Sequence, residues 1–172
     1  MAARARPHSA ARSNPLGTAT FNYHAYDTAW VPDTVAGRTI EEVGTRFDGD
    51  LLGDDPRLGY RRFADRAVAA ARELDDPART VHLTYGDFPA GEYLMHITVF
   101  RTFRASDLGR WLGLPTELPP DLVRGLWDWL EPRAEELRGA GVFGPAVPCP
   151  EDAPLQDRLL ALSGRDPRAL AG

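Results

Sequence analysis

One segment, residues 90–112, most constrains the fold, because its apolar side chains recur at helical spacing over about six turns. The segment ends at Gly113, and glycine commonly terminates helices. Two arginines, Arg101 and Arg104, intrude among its apolar residues, next to Phe100. The pattern therefore predicts a long amphipathic helix that carries two cations on or beside its apolar face.

Helical spacing predicts three further helices, and two of them have clear start signals. These cover residues 21–35, with an interruption near Pro32; residues 56–74, starting at Asp55-Pro56; and a helix opening at Pro119-Pro120-Asp121, with a kink at Pro132. A short helix is expected over residues 154–162. Between Thr80 and Pro89, alternation predicts a short extended segment that turns at Gly86-Asp87. The fold class is therefore all-α, a bundle of three or four principal helices with long ordered loops.

Composition and charge narrow the classes of function. The 172 residues carry a formal net charge of −5, so neither a nucleic-acid surface nor a polyanion partner is expected. Cys149 is the single cysteine, which excludes an intrachain disulfide and a thiolate metal cluster. The sequence has no apolar run of membrane-spanning length and no apolar core of a signal peptide. We therefore expect a cytoplasmic protein without a membrane partner.

The beginning of the chain differs in composition from the rest. Residues 1–20 contain arginines and prolines but no acidic residue and almost no large apolar side chain, which predicts a flexible basic tail. The remaining residues, 21–172, are expected to form one helical-bundle domain.

Several segments, taken in order, resemble one protein family. They are Trp30-Val31-Pro32, residues 36–44, residues 46–56, Tyr85-Gly86-Asp87-Phe88-Pro89, residues 157–161 and Gly164-Arg165-Asp166-Pro167. They are similar to actinobacterial relatives of the mycothiol-dependent maleylpyruvate isomerases, within the DinB-like superfamily. The similarity spans roughly residues 22–167.

The resemblance implies a four-helix bundle that holds one divalent metal, zinc or nickel. Its ligands would be a His from an early helix and an acidic residue plus a His at i and i+4 on a later helix, where both face one side. In relatives that use a thiol, the metal would activate a thiolate such as mycothiol for transfer or isomerisation. The family's first helix also begins with an apolar entry that residues 1–20 lack. We therefore expect that helix to be missing or degenerate, and its exposed groove to be covered by the tail or by a homodimer partner.

This sequence departs from the family at every metal ligand. Tyr23 stands at the position of the early His, and Phe100 and Arg104 stand at the positions of the acid and the second His. Phenylalanine has no donor atom, and a guanidinium is always protonated and would repel a metal. The leading hypothesis is a non-metal or vestigial pocket, without a cofactor, that binds a small anionic ligand through Arg101, Arg104 and Tyr23.

Other interpretations of these residues remain open. Arg101 or Arg104 is alternatively the cation of an internal salt bridge to Asp27, Asp107 or a loop carboxylate. A relocated metal site would use His24, His96 and Asp27, with an active thiol-dependent transferase or isomerase as its function. A third hypothesis is metal-free catalysis with His96 or Asp107 as the acid or base. The sequence does not decide whether the protein is an enzyme.

Overall fold

The computed structural model describes residues 15–168, and this part of the chain is mostly helical with one small two-stranded sheet. The elements are α1 (Pro15–Val35), α2 (Ile40–Val43), α3 (Pro56–Arg72), β1 (Thr80–Leu83), β2 (Gly86–Pro89), α4 (Ala90–Trp111), α5 (Pro120–Leu130), a 3-10 turn (Glu131–Arg133), α6 (Ala134–Gly139) and α7 (Leu155–Leu162). The predicted helical class is confirmed. The chain divides into two compact units between Leu94 and Met95, inside α4.

In the first unit, α1 packs along α3, and the Asn22 side chain of α1 binds the backbone of the loop between α2 and α3. The Asn22 amide donates to the Gly49 carbonyl at 2.8 Å and accepts from the Leu51 backbone N–H at 2.8 Å. Through these two bonds, a side chain of α1 satisfies one carbonyl and one N–H group of the loop backbone. The loop leads directly into α3, where the Asp55 carboxylate caps the Leu58 N–H and Pro56 follows at the first helical turn, as predicted.

The loop approaches α3 so closely that one helical residue has no room for a side chain. A Cβ atom on Gly59 would lie 2.2 Å from the Leu52 carbonyl oxygen. Leu52 is itself buried, and its N–H donates to the Asp50 carboxylate at 2.9 Å. The glycine thus allows a direct contact between the helix and the loop backbone.

The extended segment is an antiparallel hairpin, and its turn lies two residues earlier than predicted. Leu83 pairs with Gly86, so the turn residues are Thr84 and Tyr85, and the predicted turn at Gly86-Asp87 is wrong. Gly86 has a φ of +136°, which only glycine adopts readily, and this lets it start the second strand rather than turn the chain.

The second unit is built around the buried side of α4, α5 and α7. Its core consists of Val99, Phe103, Val123, Leu126, Leu130, Phe143, Leu159 and Leu160. The predicted break at Pro132 is confirmed, because α5 ends at Leu130 and a 3-10 turn separates it from α6. This break follows from the missing N–H and the bulk of the proline ring.

The first helix is longer than the sequence predicts. It begins at Pro15, where a proline costs no helical hydrogen bond, and it runs through Pro32 to Val35. A first helix is therefore present, its expected degeneracy relative to the family stays a prediction, and the tail predicted for residues 1–20 overlaps this helix. Residues 1–14 lie outside the described part of the chain. The homodimer was predicted because it would cover the groove left by a missing helix, and it stays a prediction.

None of the helices within residues 15–168 combines the length and the apolar character needed to span a lipid bilayer.

Candidate functional site

Phe100 and Arg104 on α4, where the resemblance predicts substituted metal ligands, lie against each other. They are one helical turn apart, and the guanidinium carbon of Arg104 lies 5.6 Å from the centroid of the Phe100 ring. This distance is within the range of a cation–π contact. Both residues are exposed. This face of α4 therefore presents an arginine in contact with an aromatic ring.

Asp107, one turn further along α4, is held by an arginine from the end of the chain. Arg165 donates from Nε to Asp107 Oδ1 at 2.9 Å and from Nη2 to Oδ2 at 3.0 Å. Its third contact is Nη1 to Ser163 Oγ at 3.1 Å, and its guanidinium carbon lies 4.5 Å from the Phe103 ring centroid. Both carboxylate oxygens are thus used in a bidentate pair. The predicted salt bridge from Arg101 or Arg104 to Asp107 is wrong, because Arg165 fills that carboxylate.

The segment that carries Arg165 is fastened to α4 at a second point. Arg110 donates through its two terminal nitrogens to the backbone carbonyls of Asp166 and Pro167. The Arg168 backbone N–H donates to the Asp166 carboxylate and lowers the pKa of that group. In the sequence, the Gly164–Pro167 motif stands out only as part of the family resemblance. Arg165 of this motif is a site residue that was not predicted, although the motif pointed to it.

His96 lies three turns before Asp107 and packs against a tryptophan of α5. Its ring centroid is 5.9 Å from that of Trp129, with the rings at 67°. Two arginines also contact tryptophans of α5: Arg133 lies 4.8 Å from the Trp129 ring, and Arg158 lies 4.6 Å from that of Trp127. Both tryptophans are half-buried against the core, as expected of packing residues.

The remaining candidates lie on α1 in the first unit. Tyr23 is 53% exposed, and its ring meets His24 at 5.9 Å in an edge-on contact. Asp27 is half-buried one turn further on. The relocated metal set combines His24 and Asp27 from this unit with His96 from the second unit, and it stays a prediction.

The α4 residues at which the resemblance predicts metal ligands do not fit a metal ion. Phe100 offers no donor, and the cationic Arg104 lies beside its ring. Within residues 15–168, no group of three or more His, Cys, Asp or Glu side chains is arranged to hold a metal ion. No metal chemistry is therefore assigned to these positions.

Ser106 provides a test of packing beside the site. It is 2% exposed, and its Oγ has no hydrogen-bond partner in the described part of the chain. We expect Ser106→Ala to raise the free energy of unfolding by about 1 kcal/mol, because it removes an unsatisfied buried hydroxyl and places a better helix former in α4. The measurement is urea unfolding followed by circular dichroism.

The matched control is Ser163→Ala. Ser163 is 3% exposed, but its Oγ donates to the Leu160 carbonyl at 2.8 Å and accepts from Arg165. Its loss is expected to lower the free energy of unfolding by about 1 kcal/mol. If the two alanine variants are equally destabilised, Ser106 Oγ makes a hydrogen bond and the expectation is wrong.

Comparison of the chain with models of known protein families, with curated proteins and with solved structures gave no match.

Proposed function

We propose that this chain is a DinB-like four-helix-bundle protein whose metal pocket has been rewritten, and that it binds a small anionic ligand through Arg104. Arg101 on the same helix is the further candidate contact. Two features support the proposal: the order of the family-like segments along the chain, and the replacement of all three metal ligands.

The observation that carries the proposal is the contact of Arg104 with Phe100, in which the guanidinium carbon lies 5.6 Å from the ring centroid. A cation–π contact leaves N–H groups of the guanidinium available for a carboxylate or phosphate. Arg104 is exposed, and it has no carboxylate within ion-pair distance among the residues that the structure describes. Contact with the ring restricts the Arg104 side chain, which lowers the entropy lost when an anion binds.

The substitution of Arg104 tests the proposed ligand contact. In calorimetric titrations with a panel of small carboxylates and inorganic phosphate, at least one anion should bind the wild-type protein. Arg104→Gln should weaken that binding by about tenfold or more, since a charge-assisted hydrogen bond contributes about 1.5–3 kcal/mol. Arg104→Lys should lose nearly as much, because lysine keeps the charge but not the fork.

The control is Arg124→Gln on α5, an exposed arginine outside the site. An equal loss of affinity in this variant would mean that only net charge matters, and the proposed contact would then be wrong. Elemental analysis of untagged protein is the second test. Stoichiometric zinc or nickel would overturn the non-metal proposal and favour the thiol-dependent transferase or isomerase with relocated ligands.

A further inference from the structure

Helix α3 carries an unusual concentration of positive charge. Five exposed arginines and one aspartate give Pro56–Arg72 a formal charge of +4, in a chain whose formal net charge is −5. The arginines are Arg57, Arg61, Arg62, Arg66 and Arg72. Repulsion among these charges raises the free energy of such a surface unless opposite charges neutralise it.

These arginines differ from those elsewhere in the described part of the chain, which mostly have structural partners. Arg165 pairs with Asp107, for example, and Arg138 donates to the Leu162 carbonyl. On α3, within the described residues, only Arg61 has a carboxylate in reach. Its distance to Asp65 is 3.9 Å, with both side chains more than two-thirds exposed, and such a pair contributes little. The arginines of α3 therefore contribute little to the stability of the fold through ion pairs.

The charged face points away from α1. The residues of α3 that are buried or half-buried, such as Gly59 and Phe63, lie on one side, and the arginines occupy the solvent side. Two aliphatic side chains lie among them, Leu58 at 57% and Val68 at 48% exposure. From Arg57 to Arg72 the face is about 22 Å long at 1.5 Å per residue.

Acidic residues bracket this face at both ends. Asp54 and Asp55 precede α3, and Glu73, Asp75 and Asp76 follow it, all exposed. An extended polyanion such as a nucleic acid, or the surface of an anionic bilayer, would continue beyond the helix and meet these carboxylates. A short acidic segment would match the positive face alone, and its aliphatic residues would cover Leu58 and Val68.

We propose that the outer face of α3 is a docking surface for a short acidic segment of a partner protein. Charge complementarity over one helix length supplies the attraction and sets the register, and the exposed aliphatic side chains supply apolar contact. The surface is independent of the proposed anion contact on α4.

The test uses the full chain and a fluorescent peptide of about sixteen residues with the repeat Glu-Glu-Leu-Ala, compared with its Gln-Gln-Leu-Ala counterpart. Fluorescence anisotropy should show binding of the acidic peptide only, weakening by about tenfold between low and high salt. The triple variant Arg57→Gln/Arg62→Gln/Arg66→Gln should weaken binding by about tenfold or more, and Arg124→Gln should leave it unchanged.

Three outcomes would overturn the proposal. They are equal binding of the two peptides, an equal loss in the Arg124→Gln control, and tighter binding of a short single-stranded RNA or of phosphatidylserine vesicles than of the acidic peptide. The comparison of peptides and the salt dependence are measured on the wild-type protein, so they decide the question even if the triple variant is unstable.

Discussion

The variant Gly59→Ala should be destabilised by about 1–3 kcal/mol or more, although alanine is normally the better helix residue. Its Cβ would lie 2.2 Å from the Leu52 carbonyl oxygen and 2.8 Å from the Leu52 Cα. These are backbone atoms, and they are restrained because Asp50 accepts hydrogen bonds from the N–H groups of Leu52 and Gly53. Relief of the clash requires the loop to move away from α3, which exposes the buried Leu52 side chain.

Urea unfolding gives the stability change, and hydrogen exchange shows where it arises. Exchange should increase in α3 and in the preceding loop. The matched control is Gly125→Ala, a helical glycine of α5 with no atom within 4 Å of the added Cβ. This variant should be more stable than wild type by about 0.5–1 kcal/mol. If Gly59→Ala is stabilised to the same degree, the close contact between helix and loop does not exist.

The second large effect is a gain of metal binding when two donors are placed one turn apart on α4. The double variant Phe100→His/Arg104→His should bind zinc or nickel about tenfold or more tightly than the wild-type protein. Two histidines four residues apart face one side of a helix and can hold one ion together. Replacing Arg104 also removes the cation that would repel the ion.

Calorimetry and elemental analysis of the dialysed protein would measure the gain. Arg124→His is the matched control, because it adds a single histidine at an exposed position of α5 away from the site. It should bind metal only weakly. A double variant that binds no more tightly than this control, while keeping its helical circular dichroism, would contradict the expectation.

Local backbone chemistry made several elements predictable from the sequence. The start of α3 at Asp55-Pro56, the end of α4 before Gly113 and the break at Pro132 each depend on a residue and its near neighbours. The hairpin turn was misplaced because its position depends on which residues pair across the strands. A pattern in one strand does not contain that register.

The candidate site was only partly predictable for a related reason. The resemblance predicts that Phe100 and Arg104 stand at metal-ligand positions, and their mutual contact follows from a spacing of four residues on one helix. Their proposed role as an anion site stays a prediction.

Contacts between distant residues were decided by the tertiary structure alone. Arg165 reaches Asp107 across 58 residues of sequence, and Asn22 holds the loop at Leu51 across 29. The arginine that pairs with a given carboxylate depends on how the elements pack. By itself, therefore, the sequence determined most of the helices and several of their ends, because those depend on residue type and local spacing. The packing of the elements decided which residues pair with Asp107 and Asn22, and it placed the arginines of α3 at the solvent-exposed surface.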